Sequence, residues 1–216
     1  MALRLYTTAV GPPSRAVLLC EKAIGLNLEH IEINLLQGDH MSPELVKMNP
    51  QHTIPTLTDD DIVIWDSHAI MAYLVGKYGG DCESLYPKDL AQRSLVDQRL
   101  HFDSGCIFYL VRRIGEGIMC KDSITPDETC KSLAHRNYQF LDDFLIDKDW
   151  VCGNSITIAD FSLISSVTTL DLLVPIGDTY PNITAWLGRA EELSYYDVNR
   201  SGLEKFKEFI EIISTS

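Results

Sequence analysis

The stretch NPQHTIPTLTDDDIVIWDSHAIMAYLVGKYGG, residues 49–80, decides the fold. Two short apolar runs, Thr56–Leu57 and Ile62–Trp65, flank the acidic turn Asp59-Asp60-Asp61 and predict a hairpin. Helical spacing follows over Asp66–Tyr78, with Asp66 or Ser67 as the cap and Gly79-Gly80 as the stop. Further back, Leu28–Asn34 (LEHIEIN) alternates apolar and polar residues, as a half-buried strand does. Ser14–Ile24 reads as a helix with Ala16, Leu19, Cys20 and Ala23 on one face, ended by Gly25. Leu3–Tyr6 is a short first strand, and Pro43–Met48 supplies one or two helical turns. The order β-α-β-(α)-β-β-α predicts a right-handed parallel crossover followed by an antiparallel pair.

That order matches a thioredoxin-like α/β domain, assigned to residues 1–80. GGDCESLYPKD, residues 79–89, reads as a linker. Beyond it the spacing predicts only helices: Asp89–Cys120, Asp127–Ile146, Ile158–Leu173, Ile183–Leu193 and Leu203–Ile213. Residues 88–216 are therefore expected to form an all-α domain. Within SITIADFS, Thr157 and Asp160 have capping-box spacing and Ile156 and Phe161 fit the staple positions, so Asp160 reads as structural.

Bulk properties exclude some functions. The 216 residues carry a net charge of −13, and both halves are acidic, so nucleic acid and anionic membranes are not expected partners. No run approaches the ~20 apolar residues of a membrane span. Arg4 and Pro12-Pro13 interrupt the start too early for a signal peptide. The six cysteines lack metal-ligand spacing and CxxC pairing, so no metal is expected. They read as reduced thiols of a cytoplasmic protein. A thiol–disulfide exchanger would need an attacking cysteine in the first turn. Cys20, the nearest, lies inside the helix on its apolar face.

Candidate chemistry gathers in three places. His40 sits in a loop, His52, Thr53 and Ile54 precede Pro55, and Asp66-Ser67 opens a helix. Each has a plain alternative: solvated loop histidines, a trans proline at the start of a strand, a simple helix cap. Together they suit one ligand. A helix N-terminus with a serine hydroxyl accepts a carboxylate. The neighbouring aspartate suits an ammonium, main chain exposed ahead of a cis-proline suits a peptide bond, and two histidines suit a second carboxylate. A zwitterionic amino acid, an amide and a terminal carboxylate in series describe glutathione.

NPQHTIPTL, WDSHAI–AYLV–KY, SLYPKD, LHFDSG and GNSITIADFS resemble the insect epsilon-class glutathione transferases, with the delta class next, over nearly the whole chain. The resemblance implies a thioredoxin-like domain, a helical domain, a cytosolic homodimer and glutathione as co-substrate. Carried over by position, His40, His52, Thr53, Ile54, Asp66, Ser67 and Arg112 hold glutathione. A small hydrophobic electrophile would lie between the domains against Leu35, Phe108, Val111, Arg112, Gly115, Met119 and Phe206. Positions 108, 111, 112, 115 and 119 share one helical face, which core packing alone also explains except at Arg112.

The chain departs from that pattern at one place. Where the family places a serine whose hydroxyl stabilises the glutathione thiolate, this chain has Gly11, in GPPSR, residues 11–15. Backbone N–H groups, a water, or the hydroxyls of Thr7, Thr8, Ser14 or Tyr6 are the candidate substitutes. The expectation is a glutathione transferase of reduced activity. The alternatives are a glutathione-binding carrier of hydrophobic ligands and a glutathione-dependent peroxidase.

Overall fold

The structure is a computed structural model and describes residues 3–119 and 126–215. Met119 lies within a helix, but its side chain is outside the described residues, as is Cys120. Four strands, β1 (Arg4–Thr7), β2 (Glu29–Glu32), β3 (Thr56–Asp59) and β4 (Ile62–Trp65), form one mixed sheet in the order β2-β1-β3-β4. Strand β1 runs parallel to β2, in the register Leu5 opposite His30, and antiparallel to β3, with Leu5 opposite Leu57. The β3–β4 hairpin pairs Thr56 with Trp65. Helix α1 (Pro12–Ala23) makes the parallel crossover, α2 (Pro43–Met48) is the short connection, and α3 (Ser67–Tyr78) follows the hairpin.

The remainder is helical: α4 (Leu90–Phe102), α5 (Phe108–Met119), α6 (Glu128–Phe144), α7 (Ile158–Leu173), α8 (Pro181–Glu191) and α9 (Asp197–Thr215). The sheet with its helices and the all-helical remainder are the expected fold class. Boundaries shift for identifiable reasons. Helix α1 begins at Pro12, because a proline at the first helical position gives up no bond that the helix would have made. The single helix expected over 89–120 is divided by a π-helical segment, Asp103–Ile107, whose extra residue per turn leaves the apolar pattern readable as one helix. Helix α9 begins at Asp197, ahead of the expected Leu203, and runs through Gly202.

One apolar cluster joins the two parts. Leu5, Val17 and Leu19 of the first share it with Phe161, Ile164, Val167 and Trp186 of the second. Burial of each such large side chain contributes about 1.5–3 kcal/mol. Helix α7 is nearly all buried and is the mast of the helical part. Its start is the expected capping box, in which Thr157 and Asp160 satisfy each other's backbone. Asp160 is fully buried and accepts from Val151 N, Thr157 N and Trp186 Nε1 at 2.9, 2.8 and 3.1 Å, which accounts for it structurally.

Below the sheet edge, Arg15 of α1 is buried and donates to the Ser165 carbonyl at 3.0 Å and to the Thr169 hydroxyl. Burial lowers its pKa to about 10. Gly202 is where α9 crosses it: a Cβ there would collide with the Arg15 side chain and stand 2.7 Å from the Ala9 carbonyl.

Candidate active site

A cleft of about 470 Å³ lies where β1, the 51–55 loop and the start of α3 meet α5. Its lining includes Thr8, Gly11, His52, Ile54, Ser67 and Phe108. Each wall is positioned by a different local device.

The 51–55 loop is pinned by Asn49, which is fully buried. Its Nδ2 lies 3.0 Å from the Thr53 carbonyl, 3.1 Å from Thr53 Oγ1 and 3.0 Å from Thr56 Oγ1, and its Oδ1 accepts from Gln51 N at 3.0 Å. Trp65 Nε1 donates to Gln51 Oε1 at 2.7 Å and ties the loop to β4. His52 adopts φ 45°, and the Ile54–Pro55 bond is cis. Among the described residues nothing in the protein bonds to the Ile54 N–H or C=O.

The start of α3 is built on Asp66. Its φ of 75° is uncommon for a residue with a side chain. In that conformation its Oδ1 accepts from His68 N at 2.9 Å and Ala69 N at 3.2 Å, capping the helix. Ser67 follows as the first helical residue, with its side chain toward the cleft. One aspartate oxygen is thus committed to the cap, and the Ser67 hydroxyl and N–H remain for an anionic ligand.

The floor was not legible in the sequence. His68 Nε2 lies 2.7 Å from Ser162 Oγ, which donates to Asp103 Oδ2 at 2.5 Å. Asp103 opens the π-helical segment, lines the cleft, and keeps its other oxygen buried with no partner among the described residues. These residues come from α3, α7 and the π turn, 94 positions apart at the widest, so no local pattern shows that they meet. Asn49, Gln51, Trp65 and Ser104 were also missed, although Asn49 and Gln51 bond within or near their own loop, because no cap, turn or periodicity signal singles them out.

Of the residues expected to hold glutathione, His52, Thr53, Ile54, Asp66, Ser67 and Arg112 line this cleft. His40 does not line it, but its ring centroid is 6.0 Å from that of His52. Of those expected to meet an electrophile, Leu35, Phe108 and Arg112 line it, and Val111, Gly115 and Phe206 do not. Val111 and Phe206 are buried in the protein. At about 100° per residue Val111 sits some 60° to one side of Phe108 and Arg112 some 40° to the other, so the cleft takes one edge of the stripe and the core the other. Instead of Phe206, α9 brings Lys205, Glu208, Phe209 and Ile212 to an adjoining hollow of about 330 Å³ that shares Thr8 and Leu35 with the cleft.

The turn between β1 and α1 is open at Gly11. Its φ of −82° and ψ of 127° suit any residue, and a Cβ would meet nothing nearer than the Thr8 methyl at 3.7 Å. The glycine is therefore not required by the backbone. Ser14 is buried, with its Oγ accepting from Thr8 N at 3.3 Å. Tyr6 does not line the cleft and packs with Ile33 and Leu45. Cys20 is fully buried, and burial pushes its thiol far above the ordinary range. A second groove, of about 500 Å³, lies between Lys88–Val96 and the 152–157 loop. It holds Cys152, whose thiol burial pushes up to about 11, so it presents no thiolate nucleophile. Among the described residues no cluster could hold a metal ion, and no helix is long and apolar enough to cross a membrane.

Comparison with known proteins gives a consistent result. Residues 1–76 match the family model of the glutathione S-transferase N-terminal domain, and residues 120–193 that of the C-terminal domain. Glutathione S-transferase 1 of Manduca sexta is 44% identical over 199 residues, 91% of each chain. The epsilon-class glutathione S-transferase of the housefly, Musca domestica, superposes with a TM-score of 0.93 at 40% identity, over 98% of both chains. A glutathione transferase homolog from Drosophila mojavensis, solved with bound glutathione, gives 0.92 at 41% identity, over 99% of this chain and 97% of that one.

Proposed function

The chain belongs to the glutathione S-transferase family, whose enzymes use glutathione as co-substrate, and we propose that it conjugates glutathione to small hydrophobic electrophiles in the cleft beside Gly11. The observation that carries this reading is the convergence of the Asp66-Ser67 helix start, the Asn49-pinned loop and the α5 edge on one cleft. The γ-glutamyl carboxylate fits the Ser67 hydroxyl and N–H. Its ammonium fits the free oxygen of Asp66. The Ile54 backbone pairs with the cysteinyl peptide unit, and His52, with His40 behind it, faces the glycyl carboxylate.

The sulfur then lies toward Gly11, facing Leu35 and Phe108. There the thiol loses its proton to solvent, and the thiolate forms a C–S bond to the electrophilic carbon as the leaving group departs with its electron pair. With no side-chain hydroxyl at position 11, turnover is reduced. The same feature favours a second reading, a glutathione-binding carrier in which the adjoining hollow holds an apolar ligand. The expected assembly is a cytoplasmic homodimer, which light scattering checks by a mass of two chains.

Two measurements on the full chain separate the readings: calorimetric binding of glutathione, and release of chloride from a chlorinated nitroaromatic. Binding with turnover supports the transferase. Tight binding without turnover supports the carrier. Absence of binding sinks both.

A further inference from the structure

Resting on the reading that the cleft holds glutathione with its sulfur at Gly11, we propose that Thr8 is a catalytic residue: its hydroxyl donates to the thiolate in place of the side chain missing at position 11. Ala9 and Val10 do not line the cleft, and the other donors at this turn are spent or turned away. The Gly11 N–H is taken by the Thr8 carbonyl at 3.3 Å, and the Arg15 N–H by the Gly11 carbonyl at 3.2 Å. Pro12 and Pro13 have no N–H, so a helix start that would ordinarily offer several donors offers only that of Ser14, which is fully buried and does not line the cleft. The Ser14 hydroxyl is equally buried and faces Thr8 N. Tyr6 packs with Ile33 and Leu45 and does not line the cleft, and Thr7 Oγ1 is buried outside it. Arg112 lines the cleft, but its Nε is held by Glu116 Oε1 at 2.8 Å on a side chain 70% exposed, where solvent screens it.

Thr8 is placed differently. It lines both the cleft and the adjoining hollow while being only 4% exposed. Both of its backbone polar groups are fixed within the turn, the N–H on Ser14 Oγ and the C=O on Gly11 N. No described residue bonds to its hydroxyl. Its methyl stands 3.7 Å from where a position-11 Cβ would be. Methyl and hydroxyl branch from the same carbon, so one χ1 step exchanges them. On ionisation the sulfhydryl proton leaves to solvent, and Thr8 keeps its own proton, pointing it at the sulfur.

The test is the pKa of the bound thiol, read from thiolate ultraviolet absorbance against pH, with the glutathione Kd measured alongside. Thr8→Val is expected to raise that pKa by about one unit and to lower conjugation about tenfold at neutral pH. Thr8→Ser is expected to stay within about twofold of wild type, and Gly11→Ser added to Thr8→Val to restore the lost thiolate. Thr8→Ala serves the same purpose should the valine variant not fold. An unchanged thiol pKa in a Thr8→Val or Thr8→Ala protein that still binds glutathione overturns the proposal and leaves the reading of the cleft standing. A wild-type protein that binds no glutathione overturns that reading and the proposal with it.

Discussion

Two strand-to-helix turns face the same cleft and begin their helices in opposite ways. At β4–α3, Asp66 takes a left-handed φ of 75° and caps the helix with its own carboxylate, leaving Ser67 at the opening. At β1–α1, Gly11 is extended, no side chain caps, and two prolines remove the first N–H groups. One turn is rich in donors and accepts backbone strain to present them. The other has an easy backbone and few donors. Such strain persists only where its surroundings fix it, and it gathers at ligand sites. On the proposed reading, holding the tripeptide and activating its sulfur fall to separate turns, and the donor-poor turn is the one nearest the sulfur.

Damage to the donor-rich turn should have the largest effect. Ser67→Ala removes a hydrogen bond to a charged carboxylate, worth roughly 1.5–3 kcal/mol, and is expected to raise the glutathione Kd by about 10- to 100-fold by calorimetry. An unchanged Kd would break the assignment of that turn. Repair of the donor-poor turn should do less. Gly11→Ser fits the existing backbone and is expected to raise kcat/KM for a chlorinated nitroaromatic by about threefold, because Thr8 already serves the sulfur. No gain at all would mean that thiolate formation does not limit the rate.

Asn49→Ala sharpens the comparison from outside both turns. It frees the loop between them and is expected to lower Tm by about 2–6 °C and to weaken glutathione a few-fold. Smallest is a pH effect remote from the cleft. Hydrogen bonds from Lys77, Tyr73 and Tyr78 hold the Asp59 carboxyl down to about 2. A carboxyl depressed in the folded state stabilises above its unfolded pKa of about 4, and that contribution is lost as pH falls toward 2. Thermal melts of wild type should therefore steepen in that window, and Asp59→Asn should lose that part of the slope.

How much of this could be read in the sequence divides along physical lines. The hairpin, α1, α3 and the capping box of α7 rest on turn residues, caps and short-range periodicity, which are local. Gly202 shows the limit. Mid-helix glycine costs about 1 kcal/mol, which argues against a helix running through it. Its reason for being there is Arg15, almost two hundred positions away. The π turn at Asp103 is hidden because it keeps the surrounding apolar pattern. In the cleft, Asp66, Ser67 and the 52–55 loop carry local signals of cap and proline. The Asn49 side chain bonds only within its own loop, to residues 51, 53 and 56, but no cap or turn pattern announces it. The His68–Ser162–Asp103 chain acts through tertiary contacts, so its polarity looks like ordinary surface until the chain is folded.

The buried guanidinium of Arg15 bears on how such proteins can be recombined. Its acceptors, the Ser165 carbonyl and Thr169 hydroxyl, belong to the opposite half, and Gly202 makes room for its stem. A chimera that grafts this front half onto another relative's rear half must bring a small residue at 202 and a hydroxyl at 169. Without them it inherits a stranded cation and a steric clash at the seam. The junction between the halves is a matched lock, and parts from different relatives are interchangeable only where that match is kept.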